Sequence, residues 1–257
     1  MKLVDPKTEI NIPVNVQNVS PNIEYWPIDD LPSNYKLYPD GTKIIGRPLK
    51  VIEVKKLGSL TIDNYQYVIN EVIRSSIKGI NIDELNLNDK FYIILWLRSN
   101  TYREPGYAQK FICDACNKES TYEFDLNKLE VQYLSDSFNP IYKLSNGDNI
   151  IWDFLRIKDE EAIKLYKDKN KDVDDDILQL SFMIKSINDK TVKPSFVYDY
   201  LTEKLDAGSY IQLEKHIKKF NFGIKNSINC VCSHCKEERP IGISFRTDFF
   251  IPEYINS

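Results

Sequence analysis

Between residues 63 and 78 the apolar positions Tyr65, Val68, Ile69, Val72, Ile73 and Ile77 recur at helical spacing, with polar residues between them. The pattern predicts an amphipathic helix ending on Gly79 as its C′ residue. A second helix is predicted from about Asn88 to Tyr102, with Phe91, Ile94, Leu95, Leu97 and Arg98 packed inward. Upstream, residues 35–53 read as two short strands joined by a turn at Asp40-Gly41. Downstream, residues 107–126 read as another hairpin, entered through Phe111-Ile112 and left through Thr121-Tyr122-Glu123-Phe124.

The same order of elements returns. Residues 142–161 line up with 35–53, Asn146-Gly147 taking the place of Asp40-Gly41 and Ile150-Ile151 that of Ile44-Ile45. Helices are predicted from about Asp159 to Lys167, from Asp176 to Asn188 with Ile177, Leu180, Met183, Ile184 and Ile187 on one face, and from about Thr202 to Phe220. A last hairpin follows, approached through Ile228 and left through Ile241-Gly242-Ile243-Ser244-Phe245. The reading is an internal duplication in a mixed α+β fold. It gives two similar halves, 35–135 and 136–257, each a β-hairpin, then helices, then a closing hairpin. The run Lys167–Asp176 lacks the ligand pattern of a calcium loop and reads as a solvated connection.

Residues 1–34 carry Pro6, Pro13, Pro21, Pro27 and Pro32, which forbid a helix and predict an extended arm. Its apolar residues, among them Ile10, Ile12, Val14, Val16, Tyr25, Trp26 and Leu31, suit docking along a neighbour or the chain's own body better than free solvation.

Composition narrows the class. With 42% hydrophobic and 28% charged residues the chain is an ordinary globular sequence, which excludes fibrous and disordered classes. At 257 residues it can bury a large core without cross-links, so any metal would be local reinforcement. No apolar run reaches the length of a membrane span, and Met1–Pro6 shows no secretory leader, so a cytoplasmic protein is expected. The net charge is −4 with scattered basic residues, which weighs against a duplex-DNA binder. Ile, Lys and Asn supply 81 of the 257 residues, a bias toward AT-rich codons.

The candidate chemistry lies in the cysteines. All five fall in two clusters, Cys113-Asp-Ala-Cys116 and Cys230-Val-Cys232-Ser-His-Cys235. A two-residue gap lets both sulfurs of a knuckle reach one ion at about 2.3 Å, and two knuckles complete a tetrahedron. Polar turn residues, Asn117-Lys118-Glu119 and Lys236-Glu237-Glu238, follow each pair, as at hairpin tips. The expected site is one structural Zn2+ held by Cys113, Cys116, Cys232 and Cys235 and joining the two halves. With 116 residues between the pairs, separate roles, an unoccupied cluster, thiol redox chemistry and a catalytic metal stay open as alternatives. Hairpin patterning around both pairs speaks against a thioredoxin-type motif, and four thiolates leave no open position for a substrate. Cys230 reads as a small buried thiol on the approaching strand. His234 reads as a turn residue and His216 as a helix-surface residue.

At Asp30-Leu-Pro-Ser33, Tyr38-Pro-Asp-Gly41, Arg47-Pro-Leu49, Lys78-Gly79-Ile80, Leu97-Arg98, Thr101-Tyr102 and Cys113-x-x-Cys116 the chain resembles the baseplate hub protein family of T-even-type contractile-tailed bacteriophages. The likeness is best over about residues 30–135. It implies a hub subunit or an assembly factor that is not an enzyme and that contacts other tail and baseplate proteins in several copies. It implies assembly in the host cytoplasm and then a place in the virion tail. No Gly-rich phosphate loop, Gly-x-Ser-x-Gly elbow or His-Glu-x-x-His motif opposes that reading. The alternative is a nucleic-acid-binding zinc-ribbon module, given 16 Tyr and 12 Phe. A zinc deaminase is disfavoured because neither His stands beside the Glu such a site requires.

Overall fold

The computed structural model describes residues 24–102, 106–225 and 227–251, so positions 1–23 of the expected arm lie outside the described residues. The chain opens on β1 (Trp26–Pro27) and β2 (Ile45–Gly46), passes through α1 (Val51–Leu57) and α2 (Tyr65–Ser76), and returns as β3 (Ile77–Lys78). Strand β2 lies between the other two, antiparallel to both, with Gly46 opposite Trp26 and Ile77. Helix α3 (Leu87–Tyr102) leads to the hairpin β4 (Gly106–Ile112) and β5 (Glu119–Asp125), and β6 (Val131–Gln132) follows. The sequence then runs through β7 (Ile141–Lys143), β8 (Asn149–Trp152), α4 (Ile157–Lys169), α5 (Asp175–Met183), β9 (Ile184–Ile187) and β10 (Lys190–Thr191). Helices α6 (Pro194–Asp199) and α7 (Ala207–Lys218), strand β11 (Gly223–Ile224), the hairpin β12 (Ser227–Val231) and β13 (Glu238–Gly242), and α8 (Thr247–Phe250) complete it.

Several expected elements differ. Gly41 makes the expected turn with φ +81, but its flanks do not pair with each other. Residues 31–38 wind through turns instead, because the Tyr38 hydroxyl is drawn to the buried Asp89 carboxylate at 2.6 Å, and Ser33 N–H joins it at 3.0 Å. The Asn146-Gly147 turn does join two strands, β7 and β8. The helix expected to Lys78 stops at Ser76, since Ile77 and Lys78 pair with β2. Gly79, at φ +94, follows where a Cβ would meet the Lys43 carbonyl at 1.9 Å, so no other residue fits. Residues 51–53, read as the tail of a strand, open a helix that runs to Leu57. Pro48 removes a ladder donor just after β2, and Glu53 accepts the Lys50 N–H at 2.7 Å to start the turn.

In the second part, Ile184–Ile187 leave the helical register and pair with β8. The buried helical residues of α5 are therefore Leu178, Leu180, Ser181 and Phe182, of which only Leu180 lies on the expected face. The helix expected from about 202 to 220 is not continuous: 202–204 belong to a π turn at 200–204 that extends α6, and α7 starts only at Ala207, where Asp206 caps it through Ser209 N–H at 2.9 Å.

Two hydrophobic clusters form. One gathers Ile28, Leu31, Ile44, Ile73, Ile93 and Leu97, and the C-terminal Ile243, Phe249 and Phe250 complete it. The other gathers Leu134, Ile150, Trp152, Phe154, Leu213 and Phe220. Ile28 and Leu31 are 1% and 0% exposed, so the last residues of the expected arm belong to the body. Buried polar groups tie the clusters together: Lys90 meets Glu160 at 2.6 Å, and Arg156 donates to the carbonyls of Glu84 at 2.7 Å and Leu37 at 3.1 Å.

Candidate metal centre

The two cysteine hairpins have the same tip. In one, Asn117 N–H donates to the Cys113 carbonyl at 2.7 Å and Cys113 N–H to that of Lys118 at 3.0 Å. In the other, Lys236 N–H donates to the Cys232 carbonyl at 3.0 Å and Cys232 N–H to that of Glu237 at 2.9 Å. The residue after each second cysteine takes positive φ, +54 at Asn117 and +64 at Lys236. Such turns aim backbone N–H groups at the first sulfur. Those of Cys116 and Ala115 face Cys113 and hold its thiol below the ordinary range. Those of Cys235 and His234 bring Cys232 down to about 6. Cys235, although favoured as a thiolate by Glu237 N–H, is pushed up to about 12 by desolvation and then by the neighbouring sulfurs.

Side-chain contacts set one hairpin against the other. Gln109 donates to the Gly242 carbonyl at 2.9 Å and accepts from Ser244 N–H at 3.2 Å. Ser233 N–H reaches the Ser120 hydroxyl at 3.0 Å, and Arg239 pairs with Asp114 at 2.5 Å. Across this seam Cys113 Sγ lies 3.6 Å from Cys235 Sγ and Cys116 Sγ 3.7 Å from Cys232 Sγ. All four sulfurs fall within 4.8 Å of one another. These are too far for disulfides at about 2.05 Å. They approach the edge, about 3.8 Å, of a tetrahedron whose corners lie about 2.3 Å from a central ion. The four cysteines could hold a metal ion. Cys113 and Cys232 are buried, Cys116 half-buried and Cys235 exposed, so the site opens on one side only.

The remaining candidates are placed apart from the sulfurs. Cys230 is buried on β12, with Sγ 3.6 Å from the Ile228 carbonyl, and burial pushes its thiol up. His234 turns its Nε2 to the Glu119 carbonyl at 3.0 Å, linking the knuckles without facing the cluster's centre. His216 is not a plain surface residue: its ring stacks on Tyr142 at 4.1 Å and meets Phe220 edge-on at 5.2 Å. Within the acidic run, Asp174 caps α5 by accepting from Asp176 and Ile177 N–H at 3.0 Å. The Arg239–Asp114 and Ser120–Ser233 contacts had no sequence signature, because ordinary polar residues acquire them only once the hairpins meet.

The short motifs quoted above prove to be joints of the fold. Arg47 grips Glu53 with two bonds, at 2.8 and 2.5 Å. Arg98, 1% exposed, donates to the carbonyls of Phe249 at 2.7 Å and Gly106 at 2.9 Å. Thr101 accepts from Leu49 N–H at 2.9 Å, and the Tyr102 hydroxyl donates to the Phe250 carbonyl. Among the described residues no helix is long and apolar enough to cross a membrane.

No curated protein and no solved structure matches the chain. A family described as T4 bacteriophage base plate protein does, over residues 26–251. The match takes in both cysteine hairpins and extends well past the stretch where the motifs are densest. The chain belongs to the T4 bacteriophage base plate protein family.

Proposed function

We propose that this protein is a structural or assembly component of the hub region of a phage tail baseplate. It acts through protein–protein contacts and is not an enzyme. Cys113, Cys116, Cys232 and Cys235 hold one structural Zn2+ that fastens two similar halves, 35–135 and 136–257. The observation that carries the reading is the convergence of four sulfurs from hairpins 116 residues apart, in a chain of a baseplate family. Four thiolates in a tetrahedral cradle suit zinc, and a closed shell serves structure over catalysis.

The two-halves reading draws support from repeated local geometry. Strands β2 and β8 are both central in their sheets, and α2 and α5 both run directly into an antiparallel neighbour, β3 and β9. Lys50 N–H binds Glu53 at 2.7 Å just as Arg156 N–H binds Asp159 at 2.8 Å, 106 positions later. Contact with neighbours is supported by an open groove of about 1230 Å³ beside the first knuckle. Leu60, Ile62, Tyr65, Phe111, Ile112 and Ile251 line it, and Ile62 is 94% exposed. Around the knuckles Asp114, Glu119, Glu237 and Glu238 stand among Lys118, Lys236 and Arg239, which weighs against a nucleic-acid-binding role. The protein is assembled in the host cytoplasm and then sits in the tail, among other tail proteins and in several copies.

Elemental analysis of the purified protein tests the metal: one zinc per chain, lost on Cys→Ser change at 113, 116, 232 or 235, is expected. Zinc lost on changing one pair only, or none at all, would remove the shared clamp. Removing residues 1–23 tests the arm, and leaves Trp26, Ile28 and Leu31 in place. A folded body that no longer joins its partner is expected, and unaltered assembly would dismiss the arm's role.

A further inference from the structure

The cysteines meet in two cross-hairpin pairs, each joining the first sulfur of one knuckle to the second of the other, at 3.6 Å for Cys113 and Cys235 and 3.7 Å for Cys116 and Cys232. We propose that the cluster has a second locked state without metal: two disulfides between the hairpins, Cys113–Cys235 and Cys116–Cys232, formed by a hydroperoxide. The proposal concerns the sulfurs assigned above to zinc and rests on that reading for their role as a clamp.

The hairpins do not depend on the sulfurs alone for their alignment. Arg239 to Asp114 at 2.5 Å, Gln109 to Gly242 at 2.9 Å and Ser233 to Ser120 at 3.0 Å hold the seam from both sides of the cluster. With the ion gone, the paired sulfurs therefore stay opposed, and each pair needs an approach of only about 1.6 Å to reach bonding distance. The first sulfur of each knuckle is tethered under its own turn by two backbone N–H groups, which favours pairing outward across the seam. Cys230 lies outside, bonded to its own strand.

The chemistry balances for each pair. One thiolate attacks a peroxide oxygen, becomes a sulfenic acid and releases water once the leaving hydroxide takes up a proton. The opposing thiol displaces the sulfenic oxygen as a second water, forming the S–S bond. Two thiols and one hydrogen peroxide thus give one disulfide and two waters. The same long loop is then closed covalently, so a particle that leaves a reducing cell keeps its clamp after losing the ion.

The full chain is stripped of metal with a chelator, treated with two equivalents of hydrogen peroxide, alkylated, and digested with trypsin without reduction. Cleavage at Lys110, Lys118, Lys225 and Lys236 places Cys113 and Cys116 in peptide 111–118, and the other three cysteines in 226–236. Mass spectrometry should find the two peptides joined, four hydrogens lighter than their sum, with Cys230 alkylated and fragments showing 113–235 and 116–232. Separate peptides each two hydrogens lighter, the crossed pairing, bonds to Cys230, or four alkylated thiols would each overturn it. Metal analysis before stripping reports on zinc separately, so failure of one reading is not mistaken for failure of the other.

Discussion

Arg239 pairs with Asp114 at 2.5 Å, joining the strand after the second cysteine pair to the residue that follows the first cysteine. This contact and the sulfurs beside it close a loop of more than a hundred residues at a single seam. For a loop of that length the chain-entropy estimate of a cross-link is about 4 to 5 kcal/mol. Cys232→Ser should therefore abolish metal binding and lower stability by a few kcal/mol, read as a fall in thermal midpoint with helical circular dichroism retained. Arg239→Gln should weaken the seam by less than 1 kcal/mol, because the partner Asp114 is largely exposed. Equal losses for the two variants would mean that the sulfurs hold no ion.

Glu53 and Arg47 form a buried pair, 5% and 3% exposed, on which helix α1 is founded. Burial alone would raise the Glu53 carboxyl, but Arg47, Lys50 N–H and the Ser75 hydroxyl outweigh it and hold it down to about 2. A depressed carboxylate contributes stability that is complete above its unfolded value near 4.5 and is lost as pH falls through about 2. Denaturant unfolding at pH 6 and pH 3 should show the fall. Glu53→Gln should flatten that part of the profile and cost about 3 to 5 kcal/mol at neutral pH, since it leaves Arg47 buried without its charge partner. An unchanged acid profile would place the charge dependence elsewhere.

These residues also mark what the sequence makes legible. The long helix α3 was readable from its length and its uninterrupted run without Gly or Pro, although its apolar residues are not gathered on one face, and the cysteine pairs stood out because two-residue spacing has few other uses. Helix α1 was not: its first residues, 51–53, read as a strand's end until Pro48 and the Glu53 cap are seen to act together. Ile184–Ile187 were misread because a short apolar run fits helix and strand alike, and only the β8 neighbour decides. That the two knuckles meet follows from the return of Ser244–Ile251 to the first core, a tertiary event with no local pattern.

His216 stacks on Tyr142 within the second cluster. Burial lowers its pKa, and the nearby Lys219 adds to the effect against the Asn139 carbonyl, which favours the charged ring. A His depressed in the fold contributes stability that is full above its unfolded value near 6.5 and declines as pH falls through the lower folded value. Stability of the second cluster, followed by Trp fluorescence, should thus decline between pH 7 and pH 5. His216→Phe should keep the stack and remove the decline, whereas His216→Ala should cost about 0.5 to 1.5 kcal/mol through loss of the ring contacts. A Phe variant with the wild-type pH response would clear His216 of the effect.

Lys236 and Asn117 occupy the same left-handed position in the two knuckles, but only Asn117 belongs to a residue type that visits that region readily. The Lys236 backbone must hold φ +64 so that its N–H can reach the Cys232 carbonyl and leave the sulfurs converging. The strain is of the order of 1 kcal/mol. Lys236→Gly or Lys236→Asn should relieve part of it and raise the thermal midpoint slightly while leaving metal stoichiometry unchanged. Asn117→Val should do the reverse, since a β-branched residue resists positive φ, and should loosen the first knuckle enough to speed metal loss to a chelator. If both changes leave melting and chelation rates untouched, the turns do not set the clamp's rigidity.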